Sequence, residues 1–121
     1  MRGIIFMKKE DLQVVAFEII LHSGDARSLV HEGFKLMREG KFTEAEKKME
    51  EANTKLLEAH KCQTSLLQSY ASGEEIVMEV IMVHAQDHLM TTMTLREMAI
   101  EFLEMYKKVN YSLKYGEDCN G

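Results

Sequence analysis

A histidine, an aspartate and a second histidine fall within two helical turns at His84-Ala85-Gln86-Asp87-His88. The run is set into a long apolar stretch, Val77 to Val109. On a helix the i+3 and i+4 positions share one face, so Asp87 and His88 both neighbour His84. A histidine can serve as nucleophile, general base or metal ligand. Nucleophilic attack needs a neutral imidazole, with one nitrogen free and the ring held through the other. A phosphoryl group on that nitrogen brings roughly two negative charges. Nearby donors, or a groove partly open to solvent, would have to accommodate them. Spacing alone does not choose between this role and metal binding.

The pattern H-x-x-D-H also fits zinc. Two histidines at i and i+4 can share one metal, and an acidic residue can act as base. That reading makes the chain a zinc-dependent hydrolase using His84, His88 and Asp87. Against it, the related hydrolase signature carries Glu where this chain has Asp, and no third ligand is evident. A third reading is a purely structural bundle in which His84 does no chemistry.

These residues need a scaffold, and the composition favours long helices. The 121 residues suffice for one domain. There is no proline and there are only seven glycines, so little interrupts a helix. The net charge of −5 argues against a nucleic-acid binder, which would show a basic face. No stretch approaches the ~20 apolar residues that span a membrane. Gly3 to Met7 is too short for a signal-peptide core, and Met7 offers an alternative start. Cys62 and Cys119 form no metal spacing and read as free thiols in a reducing cytoplasm.

Three helices follow in order. The first runs from about Lys8 to Glu39, with the stripe Leu12, Val15, Ile19, His22, Ala26, Leu29, Gly33 and Leu36. Steps of three and four mark a helix packed along its length against near-parallel neighbours. Gly40 is a natural stop. Thr43-Glu44-Ala45-Glu46 matches a capping box, so the second helix is expected from Thr43 to about Ser72. Its stripe is Phe42, Ala45, Met49, Ala52, Leu56, Ala59, Gln63, Leu66 and Tyr70. Ala71-Ser72-Gly73 turns the chain, and Glu74 and Glu75 suit the positive end of a third helix.

The third helix carries two stripes. One is Val77, Ile81, His84, His88, Thr91, Leu95, Met98, Phe102, Met105 and Val109. The other is Val80, Val83, Asp87, Met90 and Thr94. Two stripes exceed what a lone three-helix bundle needs, so the second is assigned to another subunit. Short connections predict an all-α, antiparallel, up-down-up three-helix bundle with a left-handed twist. Heights along the helices place His22, Gln63 and His84 near one level. The expected layout is an extension at 1–10, the helical domain at 11–109 and a flexible tail at 110–121.

Asp87 carries a separate argument. If the second stripe forms a threefold interface, three carboxylates approach one axis. Two unit charges ~4 Å apart repel by about 4 kcal/mol at an effective dielectric of ~20. Either the carboxylates share protons or they hold a cation, for which Mg²⁺ or Ca²⁺ suits oxygen ligands.

At these residues the chain resembles the lactose/cellobiose-type IIA component of the bacterial phosphoenolpyruvate-dependent sugar phosphotransferase system. Four segments carry the resemblance: His22 to Ser28, Glu58 to Thr64, Ala71 to Glu75, and Val83-His-Ala-Gln-Asp-His-Leu-Met-Thr-Thr92. It covers about Asp11 to Lys108. It implies a cytoplasmic homotrimer of three-helix bundles. It implies that His84 takes a phosphoryl group from HPr and passes it to a cysteine of the IIB component, which phosphorylates sugar entering through the membrane IIC component. It also implies that Asp87 lies at the trimer centre and binds a divalent metal. No role is carried over for His60, Gln63, Gln86 or His88. A groove lined by Met82, Met90 and Met93 is expected to adapt to two partners in turn.

Overall fold

A computed structural model describes residues 9–76 and 79–120. Residues 1–8, most of the expected extension, and Val77 lie outside them. The chain forms three helices: α1 (Lys9–Arg38), α2 (Phe42–Ala71) and α3 (Val80–Asn120). No strand occurs among the described residues. Glu10 and Asp11 open α1 while Lys35 and Arg38 close it, matching charge to both ends of the helix dipole.

Gly40, at φ 77°, ends α1. The Lys41 N–H donates to Leu36 O at 2.9 Å and the Gly40 N–H to Met37 O at 3.1 Å. These backbone bonds satisfy the last carbonyls of α1, as a left-handed C′ residue allows. The turn is so tight that Ala45 N–H already donates to Lys41 O at 3.0 Å. Helix α2 therefore starts at Phe42, and Lys41 takes the N-cap position without a side-chain cap. The expected capping box from Thr43 to Glu46 does not form; Glu46 pairs instead with Lys107 on α3. Gly73, at φ 97°, closes α2 in the same way, with Glu74 N–H donating to Ser69 O at 3.1 Å. Glu74 and Glu75 precede α3 without entering its first turn; the Glu79 carbonyl accepts its first bonds, from Met82 and Val83.

Contacts between helices fix their register. Glu18 meets Cys62, while Gly33 meets Ala45 and Met49, so later positions of α1 meet earlier positions of α2. Gln63 meets Gln86, while Met49 meets Arg96, so the order reverses again between α2 and α3. Leu12, Ala16, Ile19, Ala26, Val30 and Met37 bury the inner face of α1. On α2 the buried positions are Ala45, Met49, Ala52, Leu56, Ala59 and Leu66, the stripe read from sequence. Tyr70, expected on it, is exposed beyond the last core layer.

Helix α3 departs most from expectation. Its core face is Met82, Ala85, Leu89, Thr92, Ala99 and Leu103, which neither predicted stripe contains. His84, Asp87 and Thr91 are exposed. So are Val80, Val83, Met90, Met98, Phe102, Met105 and Val109. Both stripes lie largely outside the bundle because small residues, Ala85 and Ala99, take the positions closest to α1 and α2. The methionine groove also separates: Met82 is core, Met93 packs against the core and Met90 faces outward. The expected break at Val109 is absent. Helix continues through 110–120, where no proline stops it and the Tyr111 and Tyr115 rings meet one turn apart, centroids 4.7 Å apart and tilted by 43°.

At Gly33, α1 lies close against α2. A Cβ there would collide with Met49 Cε and meet Lys48 Cβ at 3.5 Å and Ala45 O at 3.7 Å. Gly33→Leu should therefore cost about 2–3 kcal/mol by overpacking. Urea unfolding of this variant at parental stability would contradict the close approach.

Candidate functional site

Helix α3 positions the site through its own period. Ala85 and Leu89 turn inward and are fully buried. Their neighbours His84 and Asp87 must then face outward, and His88 sits at the boundary, half-buried. The His84 and His88 rings lie nearly parallel, 3° apart in plane, with centroids 6.2 Å apart. The Thr91 hydroxyl donates to Asp87 O at 2.8 Å and also contacts His88 O at 3.3 Å, tying the site's backbone to the next turn.

His88 rests against α1. A Cβ on Gly24 would stand 3.7 Å from His88 Nε2. Gly24 therefore leaves room for the imidazole at ordinary contact distance. Burial lowers the His88 pKa below the usual histidine value; the Arg27 guanidinium and His84 push the same way, and Asp87 opposes them. Arg27 had no role in the sequence reading, although it lies in the His22 to Ser28 segment. Its signal was position: three residues beyond Gly24, it shares the face that meets His88.

On the other side of α3, Gln86 binds α2. Gln63 Nε2 donates to Gln86 Oε1, and Gln86 Nε2 lies 3.8 Å from Met82 Sδ. Gln63 thus joins the site's level, as its height predicted, but through Gln86 and not His84. Gln86 also borders a groove of about 260 Å³ with Leu66, Leu67, Tyr70 and Ile76. His22 is half-buried, with Nδ1 shielded from solvent and without a hydrogen-bond partner. His60 is exposed and lines a separate groove with Arg96 and Glu97. Cys62 is a free, half-buried thiol that donates to Glu18 Oε2 at 3.4 Å, and burial raises its pKa. The Cys119 side chain lies outside the described ones.

Two metal readings separate here. Among the described residues, no group of three His, Cys, Asp or Glu side chains comes together as a ligand set. Among those residues the zinc-hydrolase reading finds no third ligand beside His84, Asp87 and His88. Asp87 is a different case. It is an exposed carboxylate, a hard oxygen donor, between Val83 (55% exposed) and Met90 (51% exposed). One chain supplies one such ligand. The donor fits a hard divalent cation only where copies bring several together.

An exposed histidine on the outer wall of an all-helical bundle can be reached by another macromolecule, and it does not enclose a small substrate. Such a site suits a protein that hands a group from one partner to another. The chain belongs to the family described as PTS system, Lactose/Cellobiose specific IIA subunit, which matches residues 14–107. It is 42% identical over 102 residues to the lactose-specific EIIA component of Staphylococcus epidermidis, across 84% of this chain and 98% of that protein. The crystal structure of PtcA from S. mutans matches with a TM-score of 0.83 at 68% identity, covering 84% of this chain and 99% of its own. The IIA(Chitobiose)-HPr complex of the N,N'-diacetylchitobiose branch of the Escherichia coli phosphotransferase system matches with a TM-score of 0.71 at 35% identity, over 82% and 96% of the two chains.

The His88 shift gives a pH prediction. A histidine whose folded pKa is lowered binds fewer protons folded than unfolded. It therefore contributes stability above its unfolded value of about 6.5, and this is lost as pH falls through the folded value. Resistance to thermal unfolding should therefore fall as pH drops below about 6.5. His88→Gln should flatten that dependence, and identical slopes would contradict the assignment.

Proposed function

We propose that this chain is a phosphoryl carrier of a sugar phosphotransferase system, with His84 as the carrier residue. The observation that supports this best is the exposed His84 imidazole, inside the segment matched to the family. The donor is phospho-HPr; a relative of this chain is described in complex with HPr. The acceptor is a cysteine of the IIB component, which phosphorylates a lactose/cellobiose-type diglycoside entering through IIC. The setting is the cytoplasm.

The steps balance. The neutral His84 nitrogen attacks phosphorus, and the bond from phosphorus to HPr breaks as the P–N bond forms. The IIB cysteine sulfur then attacks, and the P–N bond breaks. No electrons change hands and no co-reactant is consumed. Catalysis by such a carrier is mostly positioning and charge stabilisation. Exposure admits both partners to one nitrogen. The arriving negative charge favours a proton on the neighbouring His88 ring.

Assembly follows from the same faces. Val14, Phe17 and Leu21 on α1 and Val80, Val83 and Met90 on α3 are apolar and exposed. We assign them to a homotrimer of up-down-up bundles with left-handed twist, in which Asp87 nears the axis. Three Asp87 carboxylates would hold a divalent cation, Mg²⁺ or Ca²⁺, which supplies positive charge where three negative charges meet.

Two measurements test this. Incubation with phosphoenolpyruvate, enzyme I and HPr should add one phosphate to the intact mass, acid-labile and absent from His84→Ala. No addition with active upstream proteins would end the carrier reading. Chelation by EDTA should lower the trimer fraction of the parent but not of Asp87→Asn, which lacks the repelling charges. Equal insensitivity of both would remove the axial cation.

A further inference from the structure

Helix α3 outruns its neighbours. It has 41 residues where α1 and α2 have 30 each. At about 1.5 Å per residue the excess is roughly 16 Å. Lys107 pairs with Glu46, one turn into α2, so the residues that follow soon pass the α1–α2 turn. In that overhang Val109, Tyr111, Leu113 and Tyr115 are exposed, Leu113 at 82%. A short helix without tertiary packing is marginal in water. An apolar one needs a cover.

The apolar surface does not begin at the overhang. Met98, Phe102, Met105, Val109 and Leu113 follow at steps of three and four, and all are exposed. Asp87, Met98 and Val109 are spaced by eleven residues, about three full turns of a straight helix, so they fall nearly on one line. The line that passes Asp87 therefore runs straight into the overhang. The family match stops at residue 107, so the overhang lies outside it.

We propose that residues 108–116 form an interface between copies of this chain, with three α3 ends meeting in parallel about the axis that Asp87 approaches. This rests on the trimer reading above. A threefold axis near Asp87 brings identical stripes together along their length, with no further docking step. The charges fit a copy better than a foreign partner of one sign. Glu101, Glu104, Lys107 and Lys108 surround Met105 and Tyr111 at the groove beside the stripe. A uniformly acidic or basic surface meets repulsion there, while neighbouring copies can set glutamate against lysine.

The test uses the full-length chain and Val109→Glu/Leu113→Glu, both exposed in the single chain. Sedimentation over a dilution series should place trimer dissociation of the variant at a concentration higher by about tenfold or more. Circular dichroism should show helix retained, and phospho-HPr should still label His84. A trimeric parent with an unmoved variant midpoint overturns the proposal while the trimer stands. A parent monomeric at every concentration overturns both. Independently, Leu113→Cys in a Cys62→Ser/Cys119→Ser background should cross-link copies under mild oxidation. Failure to cross-link in a trimeric sample overturns the parallel arrangement.

Discussion

The constraint on which the rest depends is how little of α3 the bundle uses. Met82, Ala85, Leu89, Thr92, Ala99 and Leu103 fill one strip of its surface. Seven buried alanines, Ala16, Ala26, Ala45, Ala52, Ala59, Ala85 and Ala99, let the three helices approach closely. Close packing holds α3 in one rotation about its own axis. A rotation of one residue, about 100°, would bury a neighbour of Leu89 and turn His84 elsewhere. The inward anchoring of Ala85 and Leu89 is thus what points His84 and Asp87 out.

Around this anchor the polar groups divide by side. Gln63 and Gln86 join α2 to α3 on one flank of the site. Gly24 admits His88 against α1 on the other. The His84 imidazole between them stays open to solvent. The proposed carrier role requires one atom to form and break a bond with two different partners, which fits an imidazole at the surface with its neighbours fixed. The apolar residues next to Asp87, Val83 and Met90, are exposed and are the ones we assign to contact between copies. In the proposed reading, one helix carries core, relay and assembly on three strips.

The number of helices, the approximate limits of α1 and α2 and the buried face of α2 were legible in the sequence; the end of α3, expected near Val109, was not. They rest on local rules: period, glycine stops and the absence of proline. The rotation of α3 was not. Its outward strips, with Val83, Met98, Phe102 and Met105, are as apolar as its core. Apolar periodicity finds buried strips without saying what buries them, and Ala85 and Ala99 give a weak signal beside Val83 and Phe102. The capping box failed for a related reason. Glycine geometry at Gly40 closed the turn before Thr43 could cap it. His84, Asp87 and His88 were legible as a group because their spacing is local. Arg27 and the Gln63–Gln86 pair needed the tertiary register.

The central claim is that His84 holds a phosphoryl group in transit, and return transfer tests it most directly. The phosphorylated chain would be separated from donors, mixed with unphosphorylated HPr, and both intact masses followed. A carrier predicts that phosphate leaves His84 and appears on HPr until the two pools balance. Phosphate that stays on the chain, or is lost to water without reaching HPr, would contradict the account.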